Sequence, residues 1–156
     1  MTIQCDIVTQ ERTVFSQQVA SVSLPGTEGR MGILPNHSAL LTTLDFGDVW
    51  IRHPDGEEEH FAIGGGYAEV QPDKVVILAD SAEQAEEIDL ERAARARERA
   101  QQAMEAGVID DPDRYAQIQA SLMRAQIRLD VGRRHSGRRR RELATGASMS
   151  PRQDEE

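Results

Sequence analysis

The chain changes its pattern abruptly at about residue 81, and this change limits the folds that it can adopt. Before that point, short apolar stretches recur about every eight to twelve residues and are separated by turn signals such as Pro25-Gly26 and His53-Pro54-Asp55-Gly56. After it, alanine, glutamate, glutamine and arginine dominate, and β-branched residues become rare. The pattern therefore predicts a β domain followed by helices.

The first segment, residues 1–82, is predicted to be a β-sandwich. Its apolar stretches are rich in Val, Ile and Leu, and none of them sustains a helical period. Gly64-Gly65-Gly66 is interpreted as a bulge or bend, since a phosphate-binding loop needs a helix after it. The predicted strands are residues 2–8, 31–34, 38–44, 49–52, 59–63, 67–70 and 74–79, and further β-branched or apolar positions before Pro25-Gly26 are Val14, Val19, Val22 and Leu24.

The second segment, residues 83–132, is predicted to form an antiparallel helical hairpin. Asp89 is a candidate N-cap of a first helix that ends at Gly107, and Asp111-Pro112 indicates the start of a second. Small residues on the first helix face a larger apolar seam on the second, so the contact buries little area and the hairpin is expected to detach readily. The two seams are Ala93, Ala96, Ala100, Ala103 and Gly107, and Tyr115, Ile118, Leu122, Ala125 and Leu129.

The formal charge of −9 is unevenly distributed along the chain. Residues 1–82 carry −8 and residues 83–132 carry −4, which argues against general binding to nucleic acids. Residues 133–156 carry +3 and are short of large apolar side chains. We therefore predict that this last segment is a disordered, arginine-rich tail.

The sequence offers no support for an independent enzyme. It contains no P-loop, HExxH or GxSxG motif, and its four histidines lack a metal-binding spacing. Cys5 is the single cysteine and is expected to be buried. No apolar run approaches the ~20 residues needed to span a bilayer, and the first ten residues do not resemble a signal peptide. We expect a cytosolic protein that needs no metal or other cofactor.

Two blocks of the sequence resemble the epsilon subunits of bacterial F-type ATP synthases. They are GRMGILPNHSALLTTLDFGDVWI at residues 29–51 and FAIGGGYAEVQPDKVVILAD at residues 61–80. With the hairpin, the resemblance covers about residues 2–132. It implies a sandwich of about ten strands in a non-catalytic rotor subunit of the central stalk. Its implied partners are the gamma subunit, the c-ring and the beta subunits of the catalytic head, and its implied position is peripheral, at the cytoplasmic face of the bacterial membrane, without lipid insertion.

The resemblance also implies two sets of site residues. In the family, the loop around GRMGILPNH lies near the c-ring and gamma, which makes Glu28, Arg30, Met31 and His37 interface candidates. The string IDLERA at residues 88–93 resembles a motif of those bacterial epsilon subunits that bind ATP between their folded helices. The implied nucleotide-binding residues are Glu83, Ile88, Asp89, Arg92, Ala93, Arg99, Arg124 and Arg128.

The spacing of the arginines is compatible with a triphosphate site. Arg92 and Arg99 lie on one flank of the first helix, and Arg124 and Arg128 share a face of the second. Guanidinium groups that converge from two helices can bind a triphosphate, with ATP then acting as a regulatory ligand. The same residues also suit a simpler role, because Ile88-Asp89 is a staple and cap and because exposed arginines are common on helices.

Two further functions remain open at this point. The hairpin alone would suit a free cytosolic ATP sensor, and residues 133–141 would suit a nucleic-acid-binding protein. Each of them explains one segment, whereas the rotor subunit explains the whole body. In the rotor subunit the hairpin is expected to act as a brake, since its basic end would reach the acidic surface of the beta subunits.

Overall fold

The structure is a computed structural model that describes residues 1–106 and 110–146. They form a β-sandwich followed by a pair of helices, which confirms the predicted fold class. A 3-10 turn at Ala85–Glu87 joins the two parts, and the helices are α1 (Leu90–Glu105) and α2 (Pro112–Gly146). The strands are β1 (Ile3–Val8), β2 (Thr13–Val19), β3 (Ser21–Gly26), β4 (Gly29–Ile33), β5 (Leu40–Arg52), β6 (Glu58–Val70), β7 (Lys74–Ala79) and β8 (Ala82–Gln84).

The described residues contain eight strands rather than about ten, because two strands pass through both layers. Strands β5 and β6 are 13 residues long each, and each joins two stretches that the sequence predicted as separate strands. One half of this long antiparallel pair lies beside β7 and β1, and the other half lies beside β3 and β8. The two long strands β5 and β6 therefore belong to both layers, and the shorter strands each belong to one of them.

The glycine triplet lies within β6, where the strand passes from one layer to the other. Gly65 and Gly66 have φ values of 92° and 131°, which residues other than glycine rarely adopt. A Cβ atom on Gly66 would lie 2.1 Å from the backbone oxygen of Leu78 on β7. The triplet thus serves close packing of the backbone within one strand, whereas the sequence predicted a bulge or bend between two strands.

The core lies between the two layers and is built almost entirely from aliphatic side chains. Phe61 and Phe15 contribute its aromatic contact, with ring centroids 5.4 Å apart. Cys5 is buried as predicted, and this burial raises the pKa of its thiol to about 12, so it is not a reactive thiol. The fully buried residues of the core include Ile3, Ile7, Val22, Leu24, Ile33, Val49, Ile51, Ile63, Val75 and Ile77.

Side-chain caps start both helices where the sequence predicted. Asp89 Oδ1 accepts a hydrogen bond from the backbone N–H of Arg92 at 3.0 Å, and Asp111 Oδ1 accepts one from Asp113 at 3.0 Å. Helix α1 ends at Glu105, whereas the predicted stop at Gly107 lies outside the described residues.

The two helices pack tightly only near the sandwich. Ala93 and Ala100 of α1 and Ala125 and Leu129 of α2 are buried, as the predicted seams require. Farther along the same seam, Tyr115 is 43% exposed. The contact between the helices therefore weakens towards the tip of the hairpin.

Helix α2 extends well beyond the predicted end of the hairpin. Disorder was predicted from residue 133, yet residues 133–146 continue the helix without a break, and residues 147–156 lie outside the described part. A low count of large apolar residues misled the prediction, since arginine, glutamate, leucine and alanine all favour helix. An existing helix is also extended without a second nucleation cost.

Candidate functional site

Helix α2 covers one outer face of the sandwich. Ile127 and Val131 of α2 join Ala62 of β6 and Ala85 of the 3-10 turn in an apolar cluster that Ile88 completes. Strand β8, which pairs with β6, carries Glu83 beneath this helix and so crosses the predicted boundary between residues 82 and 83. The hairpin and the sandwich therefore share a continuous interface that starts at β8.

A cleft of about 540 Å³ lies between α1 and α2 and is surrounded by positive charge. Small side chains on α1 leave room for it, because Ala96, Ala100 and Ala103 form that wall. Gln117 and Ser121 add polar groups on α2. The basic side chains that line the cleft are Arg99, Arg114, Arg124 and Arg128.

Arg128 connects this cleft to the sandwich. Its Nε donates to Glu83 Oε2 at 2.6 Å, and its Nη2 donates to Glu83 Oε1 at 3.3 Å. The Arg128 and Glu83 side chains are 21% and 28% exposed, so the two-pronged ion pair is partly screened from water. A second cleft of about 410 Å³ adjoins this ion pair, and it is also lined by Arg12, Glu87 and Arg124.

The structure brings together only some of the predicted nucleotide-binding residues. Arg99, Arg124 and Arg128 line the interhelical cleft, with Glu83 bound to Arg128. Arg92 is exposed on the first turn of α1 and does not line that cleft.

Three further members of the predicted set have structural contacts. The Asp89 carboxylate caps α1, and the hydrogen bond from the backbone of Arg92 lowers the pKa of that carboxyl. Ile88 packs on the apolar cluster, and Ala93 is fully buried between the helices. These contacts favour the simpler role of staple, cap and packing for this part of the motif.

Arg114 lines the cleft but was missed by the sequence reasoning. A signal for it exists, because Arg114 and Arg124 are ten residues apart, which is close to three full turns of an α-helix. This second stripe lies on the flank of α2 next to its apolar seam. Arg12, in the turn between β1 and β2, carries no such signal, and only the fold places it near Glu87, at 3.9 Å.

The four interface candidates lie in the β3–β4 turn, on β4 and in the loop that follows β4, in different surroundings. Glu28 is exposed in the turn, while Met31 packs partly against the core. The ring of His37 is half-buried and donates from Nδ1 to the Ser38 carbonyl at 2.7 Å.

Arg30 is engaged within the sandwich itself. It donates to Ser23 Oγ at 2.8 Å and to Asp48 Oδ1 at 2.5 Å, and its guanidinium lies 4.6 Å from the centre of the Trp50 ring. Arg30 therefore orders one face of the sandwich through Asp48 and Trp50.

An exposed apolar patch lies on the outer face of β5, β6 and β7. Leu41, Tyr67 and Leu78 are 71%, 55% and 49% exposed, and Tyr67 and Leu78 are directly paired across neighbouring strands. The sequence analysis did not single them out, although they occupy the alternate positions that face away from the core. Clustered exposed apolar side chains are typical of protein–protein contacts.

Beyond residue 132, helix α2 is attached to the sandwich by two ion pairs. Arg134 Nη1 lies 3.5 Å from Asp48 Oδ2, and Arg138 Nη1 lies 2.5 Å from Glu58 Oε2. Arg52 Nη2 also reaches Glu58 Oε1, at 2.9 Å. The hydrogen bonds from Arg138 and Arg52 lower the pKa of Glu58 to about 2.

The low pKa of Glu58 predicts a specific dependence of stability on pH. Unfolded Glu58 binds a proton near pH 4.5, and folded Glu58 does so only near pH 2. The stability that Glu58 contributes is therefore complete above pH 4.5 and is lost as the pH falls to about 2. We expect the melting temperature of the wild type to fall more steeply across this range than that of Glu58→Gln, measured by circular dichroism.

Glu57→Gln is the matched control for this experiment. Glu57 is exposed in the adjoining turn and forms no ion pair with any residue that the structure describes. Its variant should follow the wild-type curve. Identical slopes for Glu58→Gln and the wild type would show that Arg138 and Arg52 do not hold Glu58 in its charged form.

Two further properties of the described residues bear on function. No group of histidine, cysteine, aspartate or glutamate side chains is arranged there to hold a metal ion. Neither α1 nor α2 provides an apolar stretch long enough to cross a membrane.

Comparison with known proteins shows the same family for both parts of the chain. Residues 2–85 match the ATP synthase Delta/Epsilon chain beta-sandwich domain, and residues 86–132 match the long alpha-helix domain of the same chain. An ATP synthase epsilon chain of Dehalococcoides mccartyi is 46% identical over 136 residues, which are 83% of this chain and 91% of the relative. One of Herpetosiphon aurantiacus is 46% identical over 134 residues, covering 85% and 96%.

Solved structures agree with this result. A chain of the Euglena gracilis mitochondrial ATP synthase, in an assembly described as OSCP/F1/c-ring, has a TM-score of 0.69 at 26% identity and covers 81% of this chain and 78% of its own. A chain of the Tetrahymena thermophila enzyme shares the fold, with a TM-score of 0.59 at 12% identity over 85% of this chain and 97% of its own. The chain therefore belongs to the delta/epsilon family of ATP synthase subunits.

Proposed function

We propose that this subunit is part of the rotor and that its helical hairpin regulates the enzyme in response to ATP. The chain is an epsilon subunit of ATP synthase, and the family is a non-catalytic component of the central stalk, with the catalytic sites on other subunits. What we propose beyond this is the partner that each surface contacts and the response of the hairpin to ATP. Its place is peripheral, on the cytoplasmic side of the membrane, as part of the complex.

The sandwich supplies the surfaces for the rotor partners. The exposed apolar patch of Leu41, Tyr67 and Leu78 offers a contact face on β5, β6 and β7. The β3–β4 turn, which carries Glu28, and the loop after β4, which carries His37, offer more polar surface. We assign the apolar patch and these polar residues to contacts with the gamma subunit and the c-ring, because the patch lies away from the residues of β5 and β6 that contact α2.

One observation carries the proposal of ATP binding, namely the four arginines around the interhelical cleft. The protein has a formal charge of −9, so a cleft with four guanidinium groups is a local exception to its acidic character. Arginine forms paired hydrogen bonds to phosphate oxygens, and groups from both helices can grip one triphosphate. ATP in this cleft would hold α1 and α2 together where their apolar contact is weakest.

Regulation follows from the competition between two positions of the hairpin. ATP that bridges Arg99 of α1 and Arg124 of α2 binds only the folded hairpin, so it favours the compact state. Without ATP, the hairpin can leave the sandwich and extend along gamma. Its basic residues would then meet the acidic surface of the beta subunits and slow ATP hydrolysis.

The first test measures ATP binding by the isolated full-length chain. At a hundredfold excess over Kd, a ligand that binds only the native state stabilises it by about 2.7 kcal/mol. We expect ATP to raise the melting temperature of the wild type and to have much less effect on Arg124→Ala. Differential scanning fluorimetry with and without millimolar ATP provides the measurement.

Arg95→Ala is the control, because Arg95 is an exposed arginine of α1 that does not line the cleft. It should retain the full stabilisation by ATP. If millimolar ATP leaves the wild-type melting temperature unchanged, the arginines of the cleft do not form a nucleotide site.

A further inference from the structure

We propose that the part of α2 beyond residue 132 is an electrostatic clamp that holds the hairpin on the sandwich. The clamp consists of Arg134 and Arg138 on the helix and of Asp48 and Glu58 on β5 and β6. This inference rests on the proposed movement of the hairpin, but it does not require ATP. It makes the attachment of the hairpin to the sandwich sensitive to ionic strength, and it acts at a different place from the interhelical cleft.

The residues of α2 that contact the sandwich all lie on one face of the helix, before and after residue 132. Ile127, Val131, Arg134 and Arg138 follow one another at intervals of four, three and four residues, so they form one stripe of the helix. The first two make the apolar contact with the sandwich, and the last two make the ionic contact. The same face of the helix thus continues across the sandwich after the apolar cluster ends.

Both carboxylates are prepared for the incoming arginines by the sandwich itself. The Asp48 side chain is 8% exposed, accepts from Arg30 through Oδ1 and from Trp50 Nε1 through Oδ2, and faces Arg134. Glu58 is held by Arg52 on one oxygen and receives Arg138 on the other. Because the sheet already fixes these acceptors, the two carboxylate side chains lose little additional freedom when the helix binds them.

The arginines of the clamp lie outside the part of the chain that the family models match. The match to the long alpha-helix domain ends at residue 132, and both clamp arginines follow that point. The clamp therefore supplements the contacts that the matched part of the hairpin makes with the sandwich, which are the Glu83–Arg128 pair and a small apolar cluster. Exposed ion pairs are individually weak, so two of them suit a contact that must also open.

Trp50 provides a native reporter of the clamp. It is the single tryptophan of the chain, and it lines a cleft of about 250 Å³ with His60, Val131, Arg134 and Arg138. Trp50 is 38% exposed while α2 lies over this surface. Burial also lowers the pKa of His60, whose ring centroid is 5.6 Å from that of Trp50. Departure of α2 would expose the indole to a quencher in solution.

The test uses the full-length chain and quenching of Trp50 fluorescence by acrylamide, which carries no charge. The Arg134→Gln/Arg138→Gln double variant keeps much of each side chain but removes both charges. We expect its quenching constant to be about twice that of the wild type. Hydrogen–deuterium exchange of residues 82–88, which lie beside α2, should accelerate about fivefold.

Arg133→Gln/Arg140→Gln is the matched control. These arginines are exposed, lie seven residues apart on another face of α2, and form no ion pair with any described residue. The control should behave as the wild type does. Near 1 M salt, where the Debye length falls to about 3 Å, the wild type should approach the double variant of Arg134 and Arg138.

The outcomes separate the clamp from the proposed ATP site. Equal quenching and equal exchange for the two double variants would overturn the clamp, as would a wild type that does not respond to salt. Loss of ATP stabilisation in Arg124→Ala with intact Trp50 protection would leave the clamp in place. Circular dichroism of each variant shows whether the sandwich has folded.

Discussion

The Gly66→Ala variant is expected to lose about 3 kcal/mol or more of its free energy of unfolding. Gly66 has a φ of 131°, and a Cβ atom there would lie 2.1 Å from the Leu78 oxygen and 2.9 Å from Ala79 Cα. Both of these atoms belong to the backbone of β7, so no side-chain rotation relieves the contact. Strands β6 and β7 would have to separate, and their hydrogen bonds hold the layer together. Urea unfolding followed by circular dichroism measures the loss.

Gly32→Ala shows whether the loss comes from the site rather than from the type of substitution. Gly32 also lies in a strand, β4, but an added Cβ there meets no atom within 4 Å, and its φ lies outside the left-handed region. Its free energy of unfolding should change by less than about 0.5 kcal/mol. Similar values for the two variants would mean that β6 does not approach β7 as closely as described.

The sequence predicted the sandwich well because alternation and turns are local signals. Strands ended where Pro, Asn, Asp and Gly clustered, and the switch at residue 81 separated sheet from helix. The number of strands could not be predicted equally well. A break in apolar pattern marks either a turn or a bend, and only the pairing of β5 with β6 shows that both strands continue through it.

The helical part was predicted correctly where capping chemistry decides it, at Asp89 and Asp111. It was wrong for residues 133–146, because the helix there depends on contacts that no local pattern shows. Arg138 and Glu58 are 80 residues apart in the sequence. An arginine run without apolar residues is typical of disordered tails, and only the fold places two carboxylates beneath it.

In the candidate site, too, some residues could be predicted from the sequence and others depend on the fold. The resemblance to ATP-binding epsilon subunits implied Arg99, Arg124 and Arg128, whose spacing is compatible with one site, and the structure places them around one cleft. The ion pair between Arg30 and Asp48 could not be predicted from the sequence, since the two residues lie on different strands. Of the three functions that the sequence left open, the family match across residues 2–132 supports the rotor subunit, which accounts for both domains.

Removal of both helices is expected to produce the largest functional effect. A chain that ends after Glu87 retains β8, whose pairing with Phe61, Ala62 and Ile63 completes that edge of the sandwich. The surface on β5, β6 and β7 that we assign to rotor partners is also retained, so the truncated subunit should assemble with the complex. The brake that we propose would be absent from this enzyme.

ATP hydrolysis by the purified, truncated complex should therefore rise about fivefold or more, as expected for a regulatory coupling of at least ~1 kcal/mol. The comparison is with the full-length enzyme at equal subunit content, over a range of ATP concentrations. The full-length enzyme should approach the truncated one as ATP increases, because ATP then keeps the hairpin folded. The Arg124→Ala enzyme should need more ATP for the same release. Unchanged hydrolysis in a fully assembled, truncated complex would show that the hairpin is a passive part of the rotor, whatever its arginines bind in the isolated chain.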